Sequence, residues 1–132
     1  MRYLLTIYGD ESGWNDVSPE AASAIMAAYG EFGQKAQAAG VLLGGEGLQP
    51  TSTATTVRVR DGETLTTDGP FAETREQLGG YYLLECADLD EAIGWASQIP
   101  GAQDGSVEVR PVMDYEAMGA PETHTLTEGA NR

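Results

Sequence analysis

One cysteine, one histidine and seven basic residues are all that 132 positions hold of these types. Cys86 has no partner for an internal disulfide. It lies in an apolar strand pattern and reads as a small buried hydrophobe, because buried apolar thiols are inert. No Ser-His-Asp set, Walker loop, dinucleotide fingerprint or Cys/His metal cluster is present. The glycines at 44, 45 and 47 do not form G-x-G-x-x-G, and no helix follows them. No EF-hand spacing appears, so no metal is expected. No cofactor is expected either. Basic residues number 7 against 21 carboxylates, a net charge of −14. That balance repels phosphate backbones and anionic membrane surfaces, and it speaks against nucleic-acid and membrane partners. No apolar run approaches the length that spans a bilayer. Met1-Arg2-Tyr3 leads straight into a strand pattern with no signal-peptide signature, so a cytoplasmic, reducing compartment is expected.

What is present is enough for one domain with a real core. Residues 3–8 are apolar and β-prone and stop at Gly9-Asp10. Ser18-Pro19-Glu20 carries a cap, a first-turn proline and a first-turn acid, which predicts a helix running to about Ala39. Ile25, Tyr29, Phe32 and Ala36 form its apolar stripe. Gly40 ends it, and Gly30 and Gly33 suggest close packing on a sheet. A second strand starts at Val41, is interrupted by Gly44-Gly45-Glu46-Gly47 and resumes at Leu48. Residues 54–60 and 63–67 alternate around Asp61-Gly62, a two-residue hairpin signal. Tyr81 to Cys86 is the next strand. Asp88 and Glu91 have the spacing of a capping box, and the helix they open would turn Leu89, Ala92, Ile93 and Ala96 inward. Residues 105–112 are the last strand. The order predicts an α+β, ferredoxin-like split β-α-β domain with an inserted hairpin over residues 1–113. Residues 114–132, small, polar and acidic, are expected as a tail without a core of its own.

The densest chemistry lies in 68–80, which Asp68-Gly69-Pro70 opens and Gly79-Gly80 closes. Asp68, Glu73, Arg75 and Glu76 put three carboxylates and a guanidinium into nine residues. Shaped loops on a rigid scaffold are where proteins tend to keep binding groups. A solvated ion-pair cluster on a short helical turn is the plain alternative and is worth little energy. Phe71 is expected to plug the core and anchor the loop. Glu46, a carboxylate among glycines on a partly buried strand, needs a partner. The expected ligand-binding set is Tyr8, Glu46, Asp68, Glu73, Arg75 and Tyr81. Arg58, Arg60, Glu108 and Arg110 alternate onto one sheet face. The sheet has helices on one face only, and its other face keeps apolar positions, so a homodimer is expected.

Asp68-Gly69-Pro70-Phe71-Ala72-Glu73-Thr74 followed by Gly79-Gly80-Tyr81-Tyr82 resembles the signature of the DGPF proteins, a branch of the YCII-related family. Tyr3-Leu4-Leu5, Tyr8-Gly9, Gly44-Gly45-Glu46-Gly47-Leu48 and Val107-Glu108-Val109-Arg110-Pro111 carry the same likeness over residues 1–113. The resemblance implies a ferredoxin-like fold that dimerises through its sheets as a dimeric α+β barrel, with a pocket near the signature loop. It implies, for some members, a regulatory link to extracytoplasmic-function sigma factors. The His–Asp pair of YCII-type members has no counterpart here, since the only histidine is His124. Arg75 stands where the DGPF pattern commonly has lysine; a guanidinium stays protonated and cannot form a Schiff base. Two functions follow. One is a dimeric small-molecule-binding protein, possibly regulatory in the sense just given. The other is a cofactor-independent enzyme using carboxylate acid–base chemistry on a small polar substrate.

Overall fold

The computed structural model describes residues 1–119. The expected tail falls partly beyond them: residues 120–132, His124 included, lie outside the described residues. The chain is α+β. Strand β1 (Arg2–Gly9) is followed by a short 3-10 turn (Glu11–Asp16), helix α1 (Pro19–Ala38) and strand β2 (Leu42–Gly47). Strands β3 (Thr55–Arg60) and β4 (Glu63–Asp68) form a hairpin. Strand β5 (Gln77–Glu85), helix α2 (Leu89–Ala96) and strand β6 (Ser106–Pro111) complete it. Four strands make an antiparallel sheet in the order β2-β5-β1-β6, and β3 and β4 pair only with each other.

Local chemistry sets the boundaries. The Ser18 hydroxyl accepts the Ala21 N–H at 3.1 Å, which satisfies a donor that the first turn of α1 leaves open. Gly40, at φ 76°, turns the chain out of α1 in the left-handed region that lacks a steric cost only for glycine. At α2 the Asp88 carboxylate accepts the Glu91 N–H at 2.9 Å, and Glu91 returns the bond to the Ala87 N–H. Asp61 (φ 52°) and Gly62 (φ 79°) both adopt positive φ, as a two-residue hairpin turn requires.

Alternation divides the main sheet into two faces. Tyr3 and Leu5 of β1, and Leu84 of β5, point toward the helices and are buried. Phe32 of α1 lies 4.8 Å from the Tyr82 ring of β5 and 6.0 Å from Trp95 of α2, so both helices share that face. Ala36, Ala92 and Ala96 let the helices approach, and Ile99 closes the end of the core. Each fully buried side chain of the Leu or Ile size contributes about 1.5–3 kcal/mol.

Several expectations are corrected. Strand β2 runs through its glycines, with a register shift between Leu42 and Gly44, and it stops at Gly47; Leu48 does not resume it. Gly45 and Gly80 belong to the β2–β5 ladder because side chains would not fit there. Gly79-Gly80 therefore lies inside β5 rather than closing the loop. Gly30 and Gly33 pack against nothing. In α2 the inward stripe is Ala92, Trp95 and Ala96; Leu89 and Ile93 are exposed, since the small alanines face the sheet. Phe71 is 79% exposed and plugs no core. Glu46 is exposed and has water for a partner, so its carboxylate is not a buried charge. Residues 73–76 form bends and no helical turn. Arg58 and Arg60 stand on the separate hairpin, and only Glu108 and Arg110 share a face of the main sheet, paired at 3.5 Å.

Candidate functional site

The face of the sheet away from the helices is arranged in rows across the strands. Gly44, Leu83, Leu4 and Arg110 form one row. Glu46, Tyr81, Thr6 and Glu108 form the next. Leu78, Tyr8 and Ser106 form the third, beyond a bulge that the register shift at Ile7/Tyr8 marks. Three of the sequence-expected residues, Glu46, Tyr81 and Tyr8, thus share this face. Nothing among the described residues packs over it; Leu4, Thr6, Tyr8, Tyr81 and Leu83 are half-buried by their neighbours in the sheet alone.

At the Tyr8 end of the face lies a cavity of about 520 Å³ lined by Asp10, Arg75 and Glu76. The sheet brings them together. Gly9 is opposite Gln77 in the β1–β5 ladder, so the residue after β1 and those before β5 emerge side by side. Gln77 fastens both loops: its Oε1 accepts the Glu11 N–H at 3.0 Å, and its Nε2 donates to the Thr74 carbonyl. The Thr74 hydroxyl donates to the Glu76 carbonyl, and the Ser106 hydroxyl donates to Glu76 Oε1 at 3.4 Å.

The electrostatics of the cavity are unequal. Ser12 donates to Asp10 twice, from its hydroxyl at 2.6 Å and its backbone N–H at 3.0 Å. These bonds hold the Asp10 carboxyl below its ordinary value, with a smaller contribution of the same sign from the Arg75 charge. Asp10 is a carboxylate at neutral pH and cannot donate a proton there. Arg75 makes no ion pair: among the described residues the ion pairs are Met1–Glu85 and Arg110–Glu108. An exposed guanidinium in this acidic chain is therefore left with its donors open toward the cavity.

Arg75 is the sequence-expected residue that lines the cavity. Asp68 sits at the root of the hairpin opposite Thr55, and Glu73 is exposed in the loop; neither lines it. Sequence reasoning missed Asp10. The spacing Asp10-x-Ser12 was a usable signal, since an aspartate that bonds the backbone two residues on marks a capped turn. Glu11, whose carboxylate holds Thr51, gave no local signal at all. The two tyrosines with raised pKa, Tyr29 and Tyr82, owe the shift mainly to burial and lie on the helix side, away from the cavity. Among the described residues no group of three or more His, Cys, Asp or Glu is placed to hold a metal ion. No helix among them is long and apolar enough to cross a membrane.

The sequence is similar to an uncharacterized protein of Rhizobium meliloti (strain 1021), 42% identical over 118 residues that cover 88% of this chain and 95% of that protein. The YCII-related domain matches residues 1–116, which take in both β-α-β halves, the hairpin and the Arg75 loop. The chain belongs to the YCII-related family.

Proposed function

We propose that the protein binds a small polar molecule carrying a carboxylate, held by Arg75 and oriented by Asp10 and Glu76, and that it does so as a homodimer without catalysis. The observation that carries the reading is the unpaired Arg75 guanidinium in the cavity. A guanidinium matches a carboxylate with two parallel hydrogen bonds. Asp10 and Glu76 accept, so they suit N–H or O–H donors on the same ligand. The dimer reading rests on the uncovered sheet face with Leu4, Tyr8, Tyr81 and Leu83. Two ferredoxin-like protomers closing these faces on each other, as a dimeric α+β barrel, would bury them. A regulatory role beside an extracytoplasmic-function sigma factor belongs to this reading through the DGPF resemblance alone.

The acid–base enzyme draws less support. No charged side chain among the described residues is buried, so none sits where burial would tune a carboxylate for proton transfer. The test is an NMR titration with lactate and glutamate at millimolar concentration. The reading expects saturable shifts at the Arg75 side-chain N–H and the Asp10 and Glu76 amides, abolished in Arg75→Ala. Shifts that persist unchanged in that variant, or none in the natural protein, would overturn it.

A further inference from the structure

We propose that the β3–β4 hairpin is an arm that clasps a second copy of this chain, through the face formed by Val57, Val59, Thr64 and Thr66 and through Phe71 at its root. The inference rests on the dimer reading and adds a second contact to it. Val57 and Val59 are each 59% exposed although both are strongly β-forming and apolar. The register sets Val57 against Thr66 and Val59 against Thr64, so these four side chains make one uncharged, β-branched face. Arg58, Leu65, Arg60 and Glu63 take the other face. The hairpin pairs with no other strand, and its root is held by two bonds, Gly69 N–H to the Ala54 carbonyl at 2.7 Å and the Thr56 hydroxyl to the Gly69 carbonyl at 2.8 Å. A two-stranded ribbon is marginal in water without a surface to pack on.

Three observations name the occupant as another copy. The first is charge: β3 carries two arginines and no acid in six residues, while the chain as a whole stands at −14. A strand of that sign is drawn to an acidic protein surface, which this chain itself supplies, and it is unlike the surroundings a nucleic acid would need. The second is the absence of acids from the arm's apolar face in a sequence with 21 of them, as contact between two anionic chains requires. The third is position. The arm leaves the sheet just past β2, where the Leu48 N–H bonds the Gly79 carbonyl, beside the row of Glu46 and Tyr81. It is therefore continuous with the uncovered face that the dimer reading closes. In a two-fold assembly each such contact occurs twice.

Sedimentation velocity over a concentration series tests the arm. Val57→Ser/Val59→Ser should raise the dimer dissociation constant at least tenfold, whereas Leu65→Ser/Thr67→Ser on the opposite face should leave it within about threefold. Leu83→Glu tests the sheet face separately. If the Val57/Val59 variant dimerises like the natural protein while Leu83→Glu is monomeric, the arm is overturned and the dimer reading stands. A natural protein that is monomeric at micromolar concentration overturns both. Amide exchange on the natural protein guards against a variant that misfolds. The β3 and β4 amides should be protected in the dimer and lose protection on dilution into the monomer. Protection that does not change with dimer population overturns the arm.

Discussion

The Glu11 carboxylate accepts both the backbone N–H of Thr51, at 3.1 Å to its Oε2, and the Thr51 hydroxyl. These residues lie 40 positions apart, and the contact ties the turn after β1 to the turn that precedes the hairpin. Bonds to a charged acceptor contribute more than neutral ones, about 1.5–3 kcal/mol when sheltered. Glu11 is half-buried, so Glu11→Ala should cost roughly 1–2 kcal/mol. Chemical denaturation would measure it, with Glu31→Ala, on an exposed position of α1, as the control near zero. A loss no larger than the control would mean that solvent screens the contact completely.

Asp10 should titrate lower in the folded protein than its ordinary value of 3.8. The unfolded chain then takes up the proton at higher pH than the folded one. The Asp10 contribution to stability is therefore full above 3.8 and is lost as pH falls through the depressed folded value. Ser12→Ala removes the strongest of the causes and should move the folded titration back toward 3.8. Arg75→Ala should move it in the same direction by less, because the Arg75 charge is the smallest of those causes. Carboxyl carbon shifts followed by NMR give both midpoints. An Arg75 effect larger than the Ser12 effect would show that the cavity, not the capped turn, sets this carboxylate.

Element types were legible wherever a local signal and a periodic pattern agreed. Ser18-Pro19 with the stripe to Ala36, Asp88 with Glu91, and Asp61-Gly62 between alternating strands each became what their chemistry dictates. Legibility failed where a side chain's fate depended on what lies across from it. Phe71 is apolar and was expected inside, but its loop has no core to enter. Leu89 and Ile93 have helical spacing, yet the alanines one step around α2 define the close approach. For the site, Arg75 was visible as a lone cation in an acidic loop. Asp10 reaches it only through the β1–β5 register, which places Gly9 opposite Gln77. No spacing along the chain carries that information.

Cys86 should be inert in the folded state. Burial pushes its thiol above the ordinary value of 9.0, so thiolate is scarce at neutral pH. Its 2% exposure also denies a reagent access. An aromatic disulfide reagent at pH 8 should label the natural protein only as fast as it unfolds, and completely in denaturant. Rapid stoichiometric labelling without denaturant would contradict the packing of β5 against the amino-terminal residue, whose carbonyl accepts the Cys86 N–H at 2.8 Å.

Adjacent glycines in β2 should respond oppositely to alanine. A Cβ on Gly44 would meet nothing within 4 Å. Gly44→Ala therefore removes backbone freedom from the unfolded chain without a clash and should be neutral or stabilising by up to about 1 kcal/mol. A Cβ on Gly45 would lie 2.6 Å from Tyr82 Cδ1 and 2.7 Å from the Tyr81 carbonyl oxygen. The ring cannot retreat freely, because it packs on Phe32 at 4.8 Å, and the carbonyl belongs to the β5 backbone. Overpacking of this kind costs about 1–3 kcal/mol, so Gly45→Ala should lower the melting temperature by several degrees. Gly80→Ala should behave like Gly45→Ala, since its Cβ would come within 2.8 Å of the Glu46 carbonyl across the same ladder. Thermal melts of the three variants under one set of conditions decide the matter. If Gly44→Ala proves as damaging as Gly45→Ala, the glycines of β2 serve the conformation of the strand and not the close approach of its neighbour.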